Sequence, residues 1–590
     1  AYNAYWKIRK GLYPSVGAMR QTGTTVIIED VTFPTPRLAE ATSALQELFT
    51  KYNYDEAVIF GHALEGNIHF VFNQDFSSQA EIDRYERFMD ELAVMVVDRF
   101  DGSLKAEHGT GRNMAPYVEK QWGEEAFDIM KRIKAIFDPK DLLNPGVILN
   151  NDPKAHLKDL KPMPQAHETV DKCTECGFCE QSCVSHGMTL SPRQRITVYR
   201  EMKRLERSGE QPEVLASLKK DYDYQSLQTC ATDGLCATAC PVGINTGELV
   251  KHLRKENLTA GDHKSANLIA PNMQKVEAVM RFSLNAANTV HNIIGTKPMQ
   301  SIASNLRKLS GNTIPQWTPS LPKAAPKIDT SAPVNGNPLK VVYFPSCINQ
   351  TMGVSKDHDK DDALTDKVKQ LLTKAGYEII YPENLSSQCC GMPFSSKGFQ
   401  EQGKQRSDSL EETLMKVSQN GEIPILSDNS PCLYTMKENM PAPLQLYEPI
   451  EFILEFVAPR LDFKPVEETI SVYAVCSAKK MGQEENLVKL AEKCATDVIN
   501  PQTACCGFAG DRGFTHPELN EHGLKDFKDQ HPAHVTHGYS TSRTCEIGLT
   551  CHSGISYKSI LYLVDQVTTP KNATIENKIT DKTEKVPLDK

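Results

Sequence analysis

The chain has 590 residues, a net charge of -9 and 17 cysteines. That length exceeds what a single hydrophobic core organises, so we expect several domains. No apolar run reaches the ~18 residues that a membrane-spanning helix needs, although peripheral membrane contact stays open. The acidic balance contains no basic block, which argues against nucleic acid or anionic lipid as the main partner.

The cysteines lie mostly in tight clusters rather than scattered along the chain. This pattern is typical of metal ligation in a reducing compartment and not of a secreted disulfide scaffold. We therefore predict a cytoplasmic protein, with peripheral association at the inner face of the cell membrane as the alternative. The chain begins at Ala1 without an initiator methionine or a signal-peptide pattern, so we expect a piece of something longer.

The first 152 residues have the pattern of an α+β domain. Residues 24–31 (TTVIIEDV) predict a strand, and residues 37–52 carry apolar side chains at helical spacing. Residues 79–100 and 119–137 repeat that spacing. The pattern stops at FDPKDLLNPGVI, whose Pro and Gly residues break it.

Two cysteine runs follow in a region, 165–255, whose other residues predict short helices. The first run has the spacing C-x2-C-x2-C-x3-C, which wraps three thiolates around one cubane cluster and sends the fourth to a neighbouring cluster. A structural zinc site is the alternative, but zinc sites usually pair two C-x2-C units. Crossing the ligands between the runs predicts one cluster on Cys173, Cys176, Cys179 and Cys240, and a second on Cys183, Cys230 and Cys236.

Asp233 occupies the position of the missing thiolate, three residues after Cys230 and three before Cys236. A carboxylate is a harder and weaker ligand for iron than a thiolate. The second cluster is therefore an Asp-ligated four-iron cluster, a four-iron cluster with one labile iron, or a three-iron cluster; we favour the first two. In a further alternative Asp233 faces solvent and caps the turn before Gly234.

The C-terminal half contains an internal duplication, which follows a helical stretch and Pro-rich linker (256–338). LKVVYFPSC and ETISVYAVC are apolar strands that end in a cysteine, and a CCG triplet follows each of them. Strands alternating with helices predict two α/β domains, 339–460 and 466–568, and then a polar tail, 569–590, that we expect to be disordered.

The two halves offer matching sets of cysteines. Adjacent cysteines suit a non-cubane iron–sulfur cluster or one zinc ion, and buried unligated thiols are the remaining alternative. Cys494 has no counterpart in the other half and is expected in the core, and Cys551 has no counterpart either. The sets are Cys347, Cys389, Cys390 and Cys432 in the first half, and Cys476, Cys505, Cys506 and Cys545 in the second.

A histidine pair and an acidic residue suggest a metal site in the first domain. GHALEGNIHF places His62 and His69 around a short loop, and if strands 57–62 and 68–73 pair, the two face each other about 5 Å apart. The segment AEHGTG adds Glu107 and His108. Two histidines and one carboxylate with an open position are typical of a catalytic metal site. Two satisfied core histidines are the alternative.

GHALEGNIHF, EHGTGR and FDPKDLLNPGV resemble the C-terminal substrate domain of the flavin-linked 2-hydroxyacid dehydrogenases of the vanillyl-alcohol-oxidase type. The cysteine runs, the CCG repeats and SRTCEIGLTCHSGISYKSILYLVD are similar to the iron–sulfur part of the quinone-linked D-lactate dehydrogenases in that family. The resemblance implies a multi-domain α+β and α/β protein. Its parts are a ferredoxin-like α+β substrate (cap) domain, a helical two-cluster ferredoxin domain and duplicated α/β CCG domains.

The resemblance also implies the roles of individual residues. It implies that His108 takes the hydroxyl proton and that Arg9, in WKIRKG, binds the substrate carboxylate, a task suited to a planar two-pronged donor. For Arg9 an exposed helix arginine is the alternative. Asn144, in LLNPG, would line the flavin site. A divalent zinc or manganese ion would bind His62, His69 and Glu107, with Asn67 beside them.

The implied activity is oxidation of a D-2-hydroxyacid, foremost D-lactate to pyruvate, with D-2-hydroxyglutarate and glycolate as alternatives. Electrons would pass through two 4Fe-4S clusters to a quinone, a cytochrome or another acceptor. In this family an FAD-binding domain precedes the substrate domain, and no Gly-rich phosphate loop lies before residue 24. We therefore expect FAD to come from a domain or subunit outside this chain, without which the chain is inactive. The rival interpretation is a non-catalytic iron–sulfur electron-transfer subunit.

Overall fold

The computed structural model describes residues 2–330, 339–358, 360–440 and 443–571. The chain divides into two compact units, Ala1–Val250 and Lys251–Lys590. Each unit has sheets and hydrophobic clusters of its own. Over the described ranges, none of the helices combines the length and the apolar character needed to cross a bilayer.

The first unit combines a small antiparallel sheet with helices. Its strands are β1 (Thr25–Thr32), β2 (Val58–His62) and β3 (Asn67–Gln74). Its helices are α1 (Tyr2–Ala18), α2 (Leu38–Lys51), α3 (Gln79–Val94), α4 (Val118–Trp122), α5 (Glu124–Phe137), α6 (Pro192–Ser208), α7 (Pro212–Tyr222), α8 (Leu235–Ala239) and α9 (Thr246–Glu256), in which the unit ends.

The three strands have the order β1-β3-β2, so β3 is central. Almost every residue of β3 is buried, because aromatic side chains from α2 and α3 cover the sheet. Phe49 and Phe88 stack with ring centroids 5.6 Å apart, and Phe88 contacts Phe72 at 5.1 Å. Burying side chains of this size contributes about 2–3 kcal/mol each. This cluster holds the hairpin β2–β3 in place.

The predicted elements of this region agree with the structure except in two of the helices. β1 and α2 match the predicted strand 24–31 and helix 37–52 to within one residue at each end. The predicted helix 79–100 leaves the α-helical pattern after Val94 and ends as a π-helical turn, Met95–Arg99. The predicted helix 119–137 is broken into α4 and α5, because Gly123 has φ +79°, outside the right-handed helical region.

The second unit carries two larger sheets. Its strands are β4 (Lys340–Phe344), β5 (Glu378–Ile380), β6 (Ile425–Ser427), β7 (Leu446–Tyr447), β8 (Leu461–Phe463), β9 (Val466–Val472), β10 (Ala495–Ile499), β11 (His537–Ser540), β12 (Ser556–Ser559) and β13 (Thr568–Pro570). Its helices are α10 (Ala260–Ile269), α11 (Met273–Ile294), α12 (Thr296–Leu309), α13 (Cys347–Thr351), α14 (Leu364–Lys374), α15 (Met392–Ser395), α16 (Gln400–Val417), α17 (Ser430–Asn439), α18 (Pro449–Phe452), α19 (Cys476–Lys480), α20 (Glu484–Glu492), α21 (Arg512–Thr515), α22 (Pro517–Gly523), α23 (Arg543–Ser553) and α24 (Ile560–Val567).

The two parallel sheets share one topology. Their orders are β5-β4-β6-β7 and β10-β9-β11-β12, so in each sheet the first and third strands along the chain lie side by side at the centre. Cys347 and Cys476 follow the first strand of their sheets, and Cys432 and Cys545 follow the third. The carboxyl ends of neighbouring parallel strands form the usual binding edge of such sheets. The four cysteines therefore occupy equivalent edges. Cys494 is fully buried in the core, as predicted.

The first residues of the predicted tail, 569–590, form part of a strand instead. Thr568–Pro570 form β13, which pairs with β8, because main-chain hydrogen bonds to an existing strand are available there. The rest of the predicted tail, 572–590, lies outside the described residues, and so does 331–338 of the predicted linker.

Candidate metal and electron-transfer centres

Three side chains suited to metal ligation converge beside the hairpin. Glu107 Oε1 lies 3.2 Å from His62 Nε2 and 2.9 Å from His69 Nε2. The ligand atoms of the three residues all lie within 4.8 Å of one another. His69 is buried, whereas His62 and Glu107 are exposed, so the group has one open side. We call these three residues the candidate metal centre.

The predicted direct pairing of the two histidines is wrong in register. The strands pair His62 with Asn67 and Phe60 with His69. Strand β3 begins at Asn67, one residue before the predicted strand 68–73. The loop is therefore shorter than predicted, and the register of the two strands is shifted. The histidines are consequently diagonal neighbours on one face of the hairpin, and their ring centroids are 5.4 Å apart. Diagonal positions still bring long or aromatic side chains into contact.

Asp30 supports the candidate metal centre and was not found from the sequence. It lies on β1 directly opposite His69 and is fully buried. Its burial alone would raise its pKa, but hydrogen bonds from backbone N–H groups and the charge of Lys105 bring the pKa below its usual value. Its Oδ2 accepts the backbone N–H groups of Ala106 at 3.1 Å, Glu107 at 2.6 Å and His108 at 2.8 Å.

His108 lies against the candidate metal centre. Its ring stacks on that of His69 with centroids 4.5 Å apart and planes 6° from parallel. Its Nε2 lies 3.5 Å from Glu107 Oε1, and its Nδ1 lies 3.9 Å from Asp30 Oδ1. Burial and the neighbouring His108 lower the pKa of His69, so His69 is the neutral imidazole that a metal ion requires.

Of the other predicted residues, two lie beside the candidate metal centre and one lies in an exposed loop. Arg9, on α1, is exposed and its Nη2 lies 3.3 Å from His62 Nε2, beside the open side of the centre. Asn67 is buried beside His62. Asn144 is exposed in the loop after α5 with φ +46°, and its role toward a flavin stays a prediction.

Unpartnered polar atoms at the centre fit a divalent ion. Asp30 Oδ1, Asn67 Oδ1 and His69 Nδ1 are buried and have no hydrogen-bond partner. Buried polar atoms in proteins are nearly always satisfied. Imidazole and carboxylate donors with an open position are the set that catalytic zinc takes, and manganese accepts the same donors. The residues present therefore suit such an ion.

Cysteines of the two runs lie near one another. Backbone N–H groups donate to Sγ of Cys173 at 3.3 Å and of Cys230 at 3.4 Å, which is a common support for cluster thiolates. The pKa of Cys179 is raised to about 12 by burial and then by the thiols of Cys236, Cys173, Cys240 and Cys176. The pKa of Cys236 is raised to about 12 by burial and then by Asp233, Cys230 and Cys183.

One carboxylate oxygen of Asp233 accepts a hydrogen bond, and the other does not. Its Oδ1 accepts the backbone N–H of Leu235 at 3.1 Å, which caps the turn. Its Oδ2 is buried and has no hydrogen-bond partner. Asp233 lines one cavity together with Cys183, Cys230 and Cys236. The turn-capping alternative is therefore correct for one oxygen, while the other is free to act as a ligand.

Arg195 lines the same cavity and was also missed from the sequence. Its side chain is fully buried, with Nη1 3.6 Å from Cys183 Sγ and Nη2 donating to Ser185 Oγ at 2.7 Å. The thiols of Cys230 and Cys183 outweigh the effect of burial and raise its pKa. The available signal is its place on α6, since Ile196, Tyr199 and Met202 share its buried face.

In the first CCG set, the four cysteines of the first half, the thiols contact one another in sequence. Cys389 forms hydrogen bonds with Cys347 and Cys390, which lower its pKa, and Cys390 also bonds with Cys432. Several buried polar atoms nearby have no partner. They are Ser346 Oγ, Asn349 Oδ1, Gln388 Oε1 and Asn429 Oδ1.

In the second CCG set, the four cysteines of the second half, the sulfurs surround Tyr473. Its hydroxyl is buried and has no hydrogen-bond partner. Burial raises its pKa, and four thiols raise it further: Cys506, Cys505, Cys545 and Cys476. Both CCG sets thus leave buried polar groups facing sulfur.

Compact groups of ligand atoms occur around His69. Over the described residues, three His, Cys, Asp or Glu ligand atoms lie within 4.8 Å of one another only at two overlapping places there, in the first unit. Neither group includes a cysteine.

Comparison with known proteins assigns three domain families. Residues 1–148 match the family described as FAD linked oxidases, C-terminal domain. Residues 169–244 match the 4Fe-4S dicluster domain, and residues 341–437 match the cysteine-rich domain. These matches support FAD and iron–sulfur clusters as the cofactors.

Curated relatives match mainly in the first of these domains. The chain is 33% identical over 143 residues to the glycolate oxidase subunit GlcD of Bacillus subtilis, covering 24% of the chain and 30% of the relative. It is 37% identical over 147 residues to a mitochondrial D-lactate dehydrogenase [cytochrome] of Arabidopsis thaliana, covering 24% and 25%. It is 25% identical over 268 residues to a D-2-hydroxyglutarate dehydrogenase of Haemophilus influenzae, covering 37% and 26%.

The matched part spans less than a third of the length of each of these relatives. The resemblance to flavin-linked 2-hydroxyacid dehydrogenases with iron–sulfur domains is confirmed at the level of domains. The chain thus combines a region similar to the C-terminal domain of the FAD-linked oxidases with regions similar to a 4Fe-4S dicluster domain and a cysteine-rich domain.

Proposed function

We propose that the protein is the substrate-binding and electron-relay part of a dehydrogenase that oxidises a D-2-hydroxyacid, foremost D-lactate to pyruvate. FAD is held by a domain or subunit outside these 590 residues, and the acceptor is a quinone or a cytochrome. One observation carries the proposal: Glu107 Oε1 lies within 3.2 Å of both His62 and His69, with Arg9 and His108 beside them.

The substrate would be fixed at two points. The guanidinium of Arg9 is exposed next to His62 and would bind the substrate carboxylate through two parallel hydrogen bonds. The substrate hydroxyl would then lie at the open side of the candidate metal centre, within reach of His108. Fixing both ends restricts which Cα–H bond faces the flavin, and such positioning accounts for several kcal/mol of a catalysed barrier.

His108 is the proposed base. Its Nδ1 faces Asp30 and its Nε2 lies on the side of Glu107. The 3.9 Å separation from Asp30 exceeds a hydrogen bond, but the buried negative charge still favours a proton on Nδ1. That tautomer leaves Nε2 free to accept the hydroxyl proton. When bound, the divalent ion would lower the pKa of the substrate hydroxyl and the flavin would accept the hydride.

The cysteine sets are the proposed relay. A hydride carries two electrons, whereas a 4Fe-4S cluster takes one at a time, so two clusters separate the pair. We assign Cys173, Cys176, Cys179 and Cys240 to cluster one, and Cys183, Cys230, Cys236 and Asp233 to cluster two. The unbonded Oδ2 of Asp233 supports ligation of iron. The two CCG sets would hold further iron–sulfur clusters, with zinc as the alternative occupant.

Metal content tests the centre. Full-length protein should bind about one zinc or manganese ion besides iron, and His62→Ala with His69→Ala should abolish that binding. His534→Ala, at an exposed histidine in the second unit, is the matched control and should leave it intact. An unchanged zinc and manganese content in the double variant would reject the candidate metal centre and favour the non-catalytic electron-transfer subunit.

Activity tests the substrate. The chain, combined anaerobically with an FAD-binding domain, should reduce a quinone analogue with D-lactate faster than with D-2-hydroxyglutarate or glycolate. Removing either component should remove the activity. Equal rates with L-lactate would contradict the proposed two-point fixation.

A further inference from the structure

Helix α11 exposes apolar side chains that soluble helices normally bury. Val279, Phe282, Val290 and Ile293 lie on one face of this helix, because at 3.6 residues per turn they fall within an arc of about 80°. Phe282 is 74% exposed and Ile293 is 77% exposed. An apolar stripe at this spacing ordinarily faces a protein core.

The opposite face of α11 is the one that attaches to the rest of the unit, and it does so largely through polar groups. Arg281 donates to the carbonyl oxygen of Gln350 at 2.8 Å. His291 is buried, and its Nδ1 accepts a hydrogen bond from Lys356 Nζ at 3.0 Å. Leu284 is buried between them. The amphipathic character of α11 is therefore reversed, with polar anchors inside and apolar residues outside.

Helix α12 repeats this arrangement. Ile302, Leu306 and Leu309 are exposed at i, i+4 and i+7, and Leu309 is 85% exposed. Arg307 is buried and donates to the carbonyl oxygen of Thr515 at 2.6 Å. Two consecutive helices thus present apolar stripes outward, and on the other face of each an arginine donates to a backbone carbonyl oxygen.

The charge of this segment is opposite to that of the whole chain. Residues 273–309 contain five Lys or Arg residues and one acidic residue, in a chain of net charge -9. That acidic residue, Glu277, pairs with Arg281 at 3.5 Å. Lys275, Lys297 and Lys308 are exposed, and among the described residues none of the three forms an ion pair with a carboxylate.

We propose that α11 and α12 bind the surface of a bilayer that contains anionic lipid. The apolar stripes would enter the boundary between headgroups and acyl chains, and the three lysines would lie among the headgroups. Apolar insertion and basic charge together are the two signals that stable surface binding needs. Each lysine near such a surface strengthens the binding electrostatically. A second copy of the chain is the weaker candidate, because two stripes flanked by lysines repel each other. This proposal does not depend on the substrate.

Vesicle flotation of the full-length protein tests it. The protein should float with vesicles of phosphatidylcholine and phosphatidylglycerol and remain behind with phosphatidylcholine alone. Phe282→Gln with Ile293→Gln should lower the ratio of bound to free protein at least ten-fold. Lys275→Glu with Lys297→Glu and Lys308→Glu should do the same. The matched control is Ile129→Gln with Ile133→Gln, two changes of the same kind at exposed positions of α5, which should bind like the unmodified protein.

Circular dichroism melting should show that all three variants are folded, because every changed side chain is exposed. Absence of flotation with the unmodified protein would overturn the proposal. Equal binding to both kinds of vesicle, or unaltered binding by both stripe and lysine variants, would also overturn it. A dimer in sedimentation that Phe282→Gln with Ile293→Gln dissociates, without any flotation, would assign the stripes to a second copy instead.

Discussion

Asp30 acts on the candidate metal centre through the backbone. Its Oδ2 gathers three successive N–H groups of the turn that carries Glu107 and His108. Without that carboxylate the three N–H groups would lose their acceptor and the turn its fixed shape. Asp30 is therefore a positioning residue for the ligand and for the base that follows it.

Replacing Asp30 by alanine should weaken metal binding. We expect the affinity for manganese or zinc to fall at least ten-fold, the usual effect of removing a group that orients metal ligands, while Asp30→Asn should lose less because an amide oxygen can still accept N–H groups. Calorimetric titration with each ion gives the affinities. Asp128→Asn, an exposed carboxylate on α5, is the control, and equal affinities in Asp30→Ala and the control would refute the role.

Arg195 should raise the reduction potential of cluster two, because a buried cation 3.6 Å from Cys183 Sγ favours the added electron. In Arg195→Gln the ratio of reduced to oxidised cluster two, at the midpoint of the unmodified protein, should fall about ten-fold, or ~59 mV for one electron. Arg195→Lys should retain part of the effect. Redox titration followed by electron spin resonance measures it, with Arg193→Gln on the same helix as the control. A potential unmoved in Arg195→Gln would disprove the idea.

Local sequence patterns were sufficient for some site residues only. His62 and His69 were found because their two strands are adjacent in the chain. Asp30 was missed because its partner strand lies about forty residues away, and only the pairing of Asp30 with His69 reveals it. Arg195 stands among other arginines of α6, of which Arg200 is buried too, and only its contact with Cys183 distinguishes it. Long-range register and burial are what a single sequence does not display.

At the scale of the element, the glycine of each CCG triplet is required by the backbone. Gly391 has φ +88° and Gly507 has φ +75°. A side chain at these positions would collide with the backbone carbonyls of Gly403 and Leu519, respectively. The triplet therefore brings two cysteines to one edge only because the third residue lets the chain turn against a neighbouring helix.

Gly391→Ala should destabilise the second unit by about 2 kcal/mol or more, since both the positive φ and the collision oppose a side chain. Denaturant unfolding monitors the stability, and iron content monitors the first CCG set, which we expect to lose occupancy. Gly482→Ala is the control because it has φ +72° but open space around its Cα. Equal losses in the two variants would show that φ alone is responsible.

Glu448 gives helix α18 a pH-dependent N-terminus. It is fully buried, its Oε2 accepts the N–H of Ile450 at 2.6 Å, and its Oε1 accepts the hydroxyl of Ser430 at 2.6 Å. Burial raises its pKa from 4.5 to about 7. The folded state therefore holds a proton that the unfolded state has lost between these pH values. Stability falls as pH rises through this range and stays lower above it.

The variant Glu448→Gln should not lose stability as the pH rises, because glutamine does not titrate. Relative to the unmodified protein, its free energy of unfolding should rise by about 3 kcal/mol between pH 4.5 and pH 8, the equivalent of the pKa shift. Denaturant unfolding at the two pH values measures the difference. Glu455→Gln, an exposed neighbour, should show none, and a parallel pH profile for Glu448→Gln and the unmodified protein would contradict the raised pKa.

For the whole molecule, domain content was predictable and charge distribution was not. The cysteine spacing and the CCG triplets indicated iron–sulfur domains because ligand spacing is local in the chain. The family match over residues 169–244 confirms a 4Fe-4S region, and residues 341–437 match a cysteine-rich domain. The net charge of -9 argued against anionic lipid, yet it averages over 590 residues. Residues 273–309 are basic, and their apolar side chains are recognisable as exposed only once the polar anchors on the other face are known.

The guanidinium of Arg195 has a consequence for how the protein is made. It is sealed inside the first unit, and within the described ranges it forms no ion pair with an acidic side chain. We expect its counter-ions to be the thiolates of Cys183 and Cys230 when these bind iron. A nascent chain that closed without iron and sulfide would leave a cation buried away from water. We therefore expect a low iron supply during synthesis to reduce the yield of native protein.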